Sequence, residues 1–178
     1  MTQKGKENFK FLWRVIAAHV IAYFIAGIFA MNFFDYANKF SSGILSCIMK
    51  PVSDPIVALG GTSLQFIRGI IIALILLPLR KVFTEQKNGF LKLGLLILGL
   101  SVFSTFGPTF GSIEGLIYTK MSIGEQIIMG YPEAIIWISL FVGTLWVLYK
   151  FEKKLLDIIA NVLLALIVLM GIVGYFML

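Results

Sequence analysis

The feature that most constrains this chain is a set of apolar runs too long to be the core of a soluble domain. They lie near Leu12–Phe34, Leu64–Val82, Phe90–Phe106, Glu133–Tyr149 and Leu155–Phe176. At about 1.5 Å per residue each approaches or exceeds what a roughly 30 Å hydrocarbon layer requires. The runs are continuous, whereas membrane-spanning strands alternate over about ten residues. Of 178 residues, 59% are hydrophobic and 13% charged, so the surplus has to face something other than water. The reading is an all-α integral membrane protein, a single transmembrane helical domain of five helices over residues 1–178.

Charge placement orients the helices. The 15 Lys and Arg outnumber the 9 Asp and Glu, but they do not form a nucleic-acid patch. Lys4, Lys6, Lys10 and Arg14 precede or open the first run. Arg80, Lys81, Lys87 and Lys92 surround the second connection, and Lys150, Lys153 and Lys154 fill the fourth. Only Lys39, Lys50 and Lys120 fall on the other side. Positive residues collect on the cytoplasmic side of membrane proteins. The bias therefore predicts a cytoplasmic N-terminus, an exterior C-terminus and two long exterior loops.

The first run exceeds the apolar core of a signal peptide and lacks a small-residue cleavage pattern, so it is expected to be retained. Ala18, Ala22, Ala26 and Ala30 recur every four residues, a spacing that lets helix backbones approach closely. Trp13 and Arg14 read as interfacial anchors, and Asn161 as an interhelical hydrogen-bonding group. Cys47, alone in the chain, has no internal disulfide partner and reads as a small apolar residue at an interface. No Cys/His cluster suggests a metal, and no cofactor is implied.

The exterior connections carry more than linkers do. In "DYANKFSSGILSCIMKPVSDPIVALGGT", Ile44, Leu45, Ile48 and Met49 form an apolar face suited to an interfacial helix. "GPTFGSIEGLIYTKMSIGEQIIMGYP" mixes glycine and proline with large apolar residues, which predicts a packed loop or a re-entrant segment.

Arg68 is the residue hardest to place. It follows the expected start of the second span by about one turn, and apolar residues continue well past it. Thr62, Gln65 and Arg68 share one helical face, beside Gly69 and Ala73. A polar stripe flanked by small residues faces protein. Arg68 therefore either snorkels to lipid phosphates, pairs with an exterior-side carboxylate, or holds an anionic ligand. Glu114, bracketed by Gly111 and Gly115, is the first choice of partner, with Gln65 as a further hydrogen-bond partner. Asp35 and Glu133 are the other candidate partners; Glu133, after Pro132, also reads as a first-turn residue complementing the helix dipole of the fourth span. Asp35 reads as a solvated boundary. His19, with Tyr23 one turn beyond, reads as a hydrogen-bonded interface histidine or as part of an intramembrane relay.

Zinc-protease, serine-hydrolase and phosphate-loop signatures are missing, and no internal repeat is visible. In order, "FIRG", "LLPLR" and "FGPTFGSIEGLIYTK" make the chain similar to small bacterial polytopic membrane proteins over most of its length. The resemblance implies the bacterial cytoplasmic membrane and carries over no functional residue. Three expectations remain. The first is a binding or transport module whose outward-facing pocket around Arg68 holds a small anionic solute or lipid headgroup. The others are an accessory subunit docking a second copy or a partner membrane protein, and a membrane enzyme using a glutamate as general base.

Overall fold

A computed structural model describes residues 2–104 and 109–177. The described residues contain no strand. The helices are α1 (Gln3–Phe33), α2 (Tyr36–Ser41), α3 (Pro55–Gly61), α4 (Leu64–Leu76), α5 (Arg80–Thr84), α6 (Gly89–Leu98), α7 (Ile113–Tyr118), α8 (Ile123–Phe151) and α9 (Lys154–Met177). A 3-10 turn, Gly43–Cys47, follows α2, another joins α4 to α5, and a π-helical segment, Gly99–Phe103, continues α6. Among the described residues four helical stretches are long and apolar enough to cross a membrane: Gln3–Phe33, Pro55–Thr84, Ile123–Phe151 and Lys154–Met177. The expected third span is shorter. Its ten α-helical and five π-helical residues reach only about 22 Å at α-helical rise. Its expected end at Phe106 lies outside the described residues.

α1 is the central helix. Of its apolar window 56% is buried, against 22%, 28% and 22% in the other three long helices. It packs on α4, α8 and α9. The alanine stripe explains why it can be surrounded: Ala18, Ala22, Ala26 and Ala30 are all buried. α4 approaches so closely that a Cβ on Gly69 would stand 3.3 Å from the Ile16 Cα.

Helical structure begins earlier in two spans than the sequence reading places it. Asp54 caps α3, its carboxylate accepting from the Ile56 amide at 2.9 Å, with Pro55 in the first turn. The span Pro55–Thr84 therefore begins nine residues before Leu64, but α4 itself starts at Leu64, as expected, and Arg68 is its fifth residue. α8 starts ten residues before Glu133. Ser122 and Glu125 form a reciprocal capping box there, which satisfies the first free amides. Pro132 is inside α8, so Glu133 is not a first-turn residue and does not complement the helix dipole.

The basic ends of the chain converge. The Arg14 side chain is only 3% exposed and forms a two-bond fork with Asp157, at 2.8 and 2.9 Å. Its guanidinium also lies 4.7 Å from the Tyr149 ring centroid. Around it, Lys10 pairs with Glu152 at 2.9 Å and Arg80 with Glu7 at 3.0 Å. Trp13 donates its indole N–H to Asn161. Arg14 and Trp13 thus join α1 to α9 rather than anchoring to lipid. Cys47 is exposed.

Candidate functional site

Regular helix satisfies its own backbone, so departures from it inside an apolar bundle need a compensating environment. Three departures occur here, and they meet. Between α3 and α4 the chain turns at Thr62 and Ser63. The Gln65 amide donates to the Gly60 carbonyl at 2.7 Å, and Ser63 donates to the Val168 carbonyl at 2.7 Å. The π-helical segment holds Ser101 and Val102. Pro132 removes one amide from α8, one residue before Glu133. Gly60, Gly61 and Thr62, Ser101 and Val102, and Gly130, Glu133 and Ala134 all line one cavity of about 930 Å3.

Most of its wall is apolar, from Phe24, Ile28, Met31, Val57, Phe110 and Met129 among others. Arg68, Glu133, Tyr23, Tyr36, Asn32 and Thr62 bring polar groups into the same space. A cavity of this size, with few polar groups on apolar walls, is the usual form of a small-molecule site. A smaller groove of about 410 Å3, between α6 and α8, has no charged residue in its lining.

Arg68 sits with its guanidinium 5.5 Å from the Tyr23 ring centroid and 5.8 Å from that of Trp137. It joins none of the ion pairs among the described residues. The carboxylate that shares its cavity is Glu133. Glu114 is a half-buried residue of α7 and is not part of the lining, so the expected Arg68–Glu114 pairing is replaced by a shared cavity with a different glutamate. Glu133 accepts from the Tyr36 hydroxyl at 2.7 Å, which ties α2 to α8. Burial and the adjacent carboxylate keep the Tyr36 phenol protonated well above the usual tyrosine range.

Gln65 does not serve Arg68. Its amide nitrogen is committed to Gly60, so its carbonyl oxygen faces His19 Nε2 at 3.1 Å. That arrangement assigns the proton to Nε2 and leaves Nδ1 bare. Both His19 Nδ1 and the Trp137 indole nitrogen are buried without a hydrogen-bond partner among the described residues. The His19 ring lies 5.9 Å from Tyr23 and 5.7 Å from Trp137. Thr62 donates to the Ala58 carbonyl at 2.6 Å.

One wall is closed by the segment after residue 108. Tyr131 donates to the Gly111 carbonyl at 3.0 Å, and Gly111 has φ +80°, a conformation that favours glycine. A Cβ there would also meet the Tyr131 ring at 2.2 Å. Ser112 and Gln126 are fully buried, and Gln126 donates to Thr119 and to the Met121 carbonyl. This segment is packed, as its apolar content suggests. Residues 105–108 lie outside the described set.

Among the described residues no three His, Cys, Asp or Glu side chains are grouped to hold a metal ion. No family model, curated protein or solved structure matches the chain. Fold and cavity therefore define the class: an all-helical protein with four helices long and apolar enough to span a membrane. Three of its helix irregularities line one largely apolar cavity that also holds Arg68 and Glu133.

Proposed function

We propose that the protein is an integral membrane binding or transport module whose cavity holds a small anionic solute or lipid headgroup through Arg68. The observation that carries this reading is a cation just after the α3–α4 break that lines a cavity and joins no ion pair among the described residues. Arg68 is exposed, and part of its accessible surface opens on the cavity that it lines. Here it sits beside two aromatic rings, close to the α3–α4 break, the π-helical segment and the proline of α8. Discontinuous helices around a polar site near mid-membrane are a recurring arrangement in transporters.

In the topology we propose, five helices cross the bacterial cytoplasmic membrane, with the N-terminus cytoplasmic and the C-terminus exterior. Support comes from the charge bias and from the ion pairs that gather Glu7, Lys10, Arg80 and Glu152 at one end. The short Gly89–Phe103 helix runs antiparallel to α8. The Phe90 ring lies 5.9 Å from Tyr149 and the Phe103 ring 6.0 Å from Tyr131. Those α8 positions are about 27 Å apart along the helix axis, more than the roughly 22 Å of the Gly89–Phe103 segment, so its flanking residues would have to complete the crossing. The exposed apolar faces of α4, α8 and α9 suit a lipid bilayer, and a second copy or partner subunit would dock there.

A cavity-filling substitution tests the reading. Gly27 lines the cavity, and a Cβ on it would meet nothing within 4 Å. Gly27→Trp should preserve folding while abolishing the stabilisation that wild type gains from an added short-chain phospholipid. Arg68→Gln should lose the same response. Equal thermal shifts in all three proteins would contradict the proposal.

A further inference from the structure

The cavity carries two opposite charges held apart. Arg68 and Glu133 both line it and do not pair with each other. Glu133 has one described partner, the neutral Tyr36 hydroxyl at 2.7 Å. Arg68 has ring faces beside it rather than a carboxylate. A purely anionic ligand would answer Arg68 and bring a second negative charge toward the half-buried Glu133 in the same cavity. Like charges that share a partly desolvated space repel.

We infer that the ligand is a zwitterion, with an anionic group for Arg68 and a primary ammonium for Glu133. The apolar wall adds a third requirement. Phe24, Ile28, Met31, Val57, Phe110 and Met129 would take hydrocarbon. The chemistry that meets all three is an amphiphile with a phosphoethanolamine headgroup. The phosphate faces the guanidinium, which suits phosphate oxygens through its fork of donors. The ammonium donates to the Glu133 oxygens, while Tyr36 holds the carboxylate in place. This inference rests on the cavity being a ligand site and sharpens which ligand it takes.

The test compares phospholipids that share a phosphate and differ in the group beyond it. Purified full-length protein in detergent is titrated with short-chain phosphatidylethanolamine and with short-chain phosphatidylglycerol, which has no ammonium. Binding is read by tryptophan fluorescence, since Trp137 stands beside Arg68. Phosphatidylethanolamine should bind about tenfold or more tightly, the scale of one charge-assisted hydrogen bond. Glu133→Gln should abolish that preference, Arg68→Gln should weaken both lipids, and Tyr36→Phe, which keeps the carboxylate, should retain the preference. Competition by water-soluble glycerophosphoethanolamine at similar concentration would support a headgroup-sized zwitterion as the ligand. Lack of competition would support the intact lipid. Equal or tighter binding of phosphatidylglycerol to wild type overturns the zwitterion inference and leaves the anion site standing. Binding of neither lipid overturns both. The wild-type comparison decides even if Glu133→Gln does not fold.

Discussion

Removing the Asp157 carboxylate should destabilise the bundle more than any other single loss of charge at its basic end. Arg14 is buried by helices on several sides, and its Nε and one Nη are held by Asp157 at 2.8 and 2.9 Å. The other Nη has no hydrogen-bond partner among the described residues and only Glu152 within reach, at 3.9 Å. Glu152 is itself committed to Lys10 at 2.9 Å. Asp157→Asn therefore leaves a nearly unpaired guanidinium that water cannot easily reach. Two charges about 4 Å apart in a protein environment attract by about 4 kcal/mol. Breaking a buried pair costs about 3–5 kcal/mol, so the two estimates agree. For a chain of this size that corresponds to a fall of roughly 10 °C in melting temperature. The assay is thermal unfolding in detergent, with Lys10→Gln as the exposed-pair control, expected to cost less than about 1 kcal/mol. Arg14→Met combined with Asp157→Leu should recover much of the loss, because no orphan charge is left. A cost for Asp157→Asn as small as the control's, or a double variant no better than the single, would refute the argument.

Gly171→Ala should cost about 1–3 kcal/mol in the same melt, because its Cβ would stand 1.8 Å from the Thr62 hydroxyl and 2.4 Å from that of Ser63; unchanged melting would mean α9 is free to move off the α3–α4 break. Ala22→Leu should cost a similar amount by overpacking the buried face of α1, and wild-type melting would place that face elsewhere. Tyr36 should titrate above the ordinary tyrosine range, because burial and Glu133 disfavour its phenolate. Its contribution to stability is full below the unfolded value near 10 and is lost as pH rises through the higher folded value. Ultraviolet titration of wild type against Tyr36→Phe should show a tyrosine missing only from the late part of the curve, and a missing early tyrosine would contradict the Tyr36–Glu133 contact.

The all-helical class, with helices long and apolar enough to span a membrane, was legible because the apolar runs are far longer than strands. Helix ends were less so. "SDPIVALGG" contains a capping aspartate and a first-turn proline, and "SIGE" contains a capping box. Gly60, Gly61, Gly124 and Pro132 masked both starts, since glycine and proline break helices in water yet are common in membrane helices. The misplaced start of α8 put Glu133 at a cap, although it was also one of three candidate partners for Arg68; which of the three would share its cavity depended on how α8 packs on α1. Arg14 looked like an anchor because its partner is 143 residues away, and no local pattern announces such a pairing. The Thr62–Gln65–Arg68 stripe was visible, but which member faced the cavity was not. Gln65 is turned to His19 because its amide closes the α3–α4 break at Gly60.

The central claim is that the cavity around Arg68 is a ligand site. Native mass spectrometry of the purified full chain, released gently from detergent, tests it most directly. The account predicts a wild-type population carrying one retained phospholipid, with that adduct lost from folded Arg68→Gln. A wild-type protein that emerges bare, or an adduct equally abundant in Arg68→Gln, would contradict it.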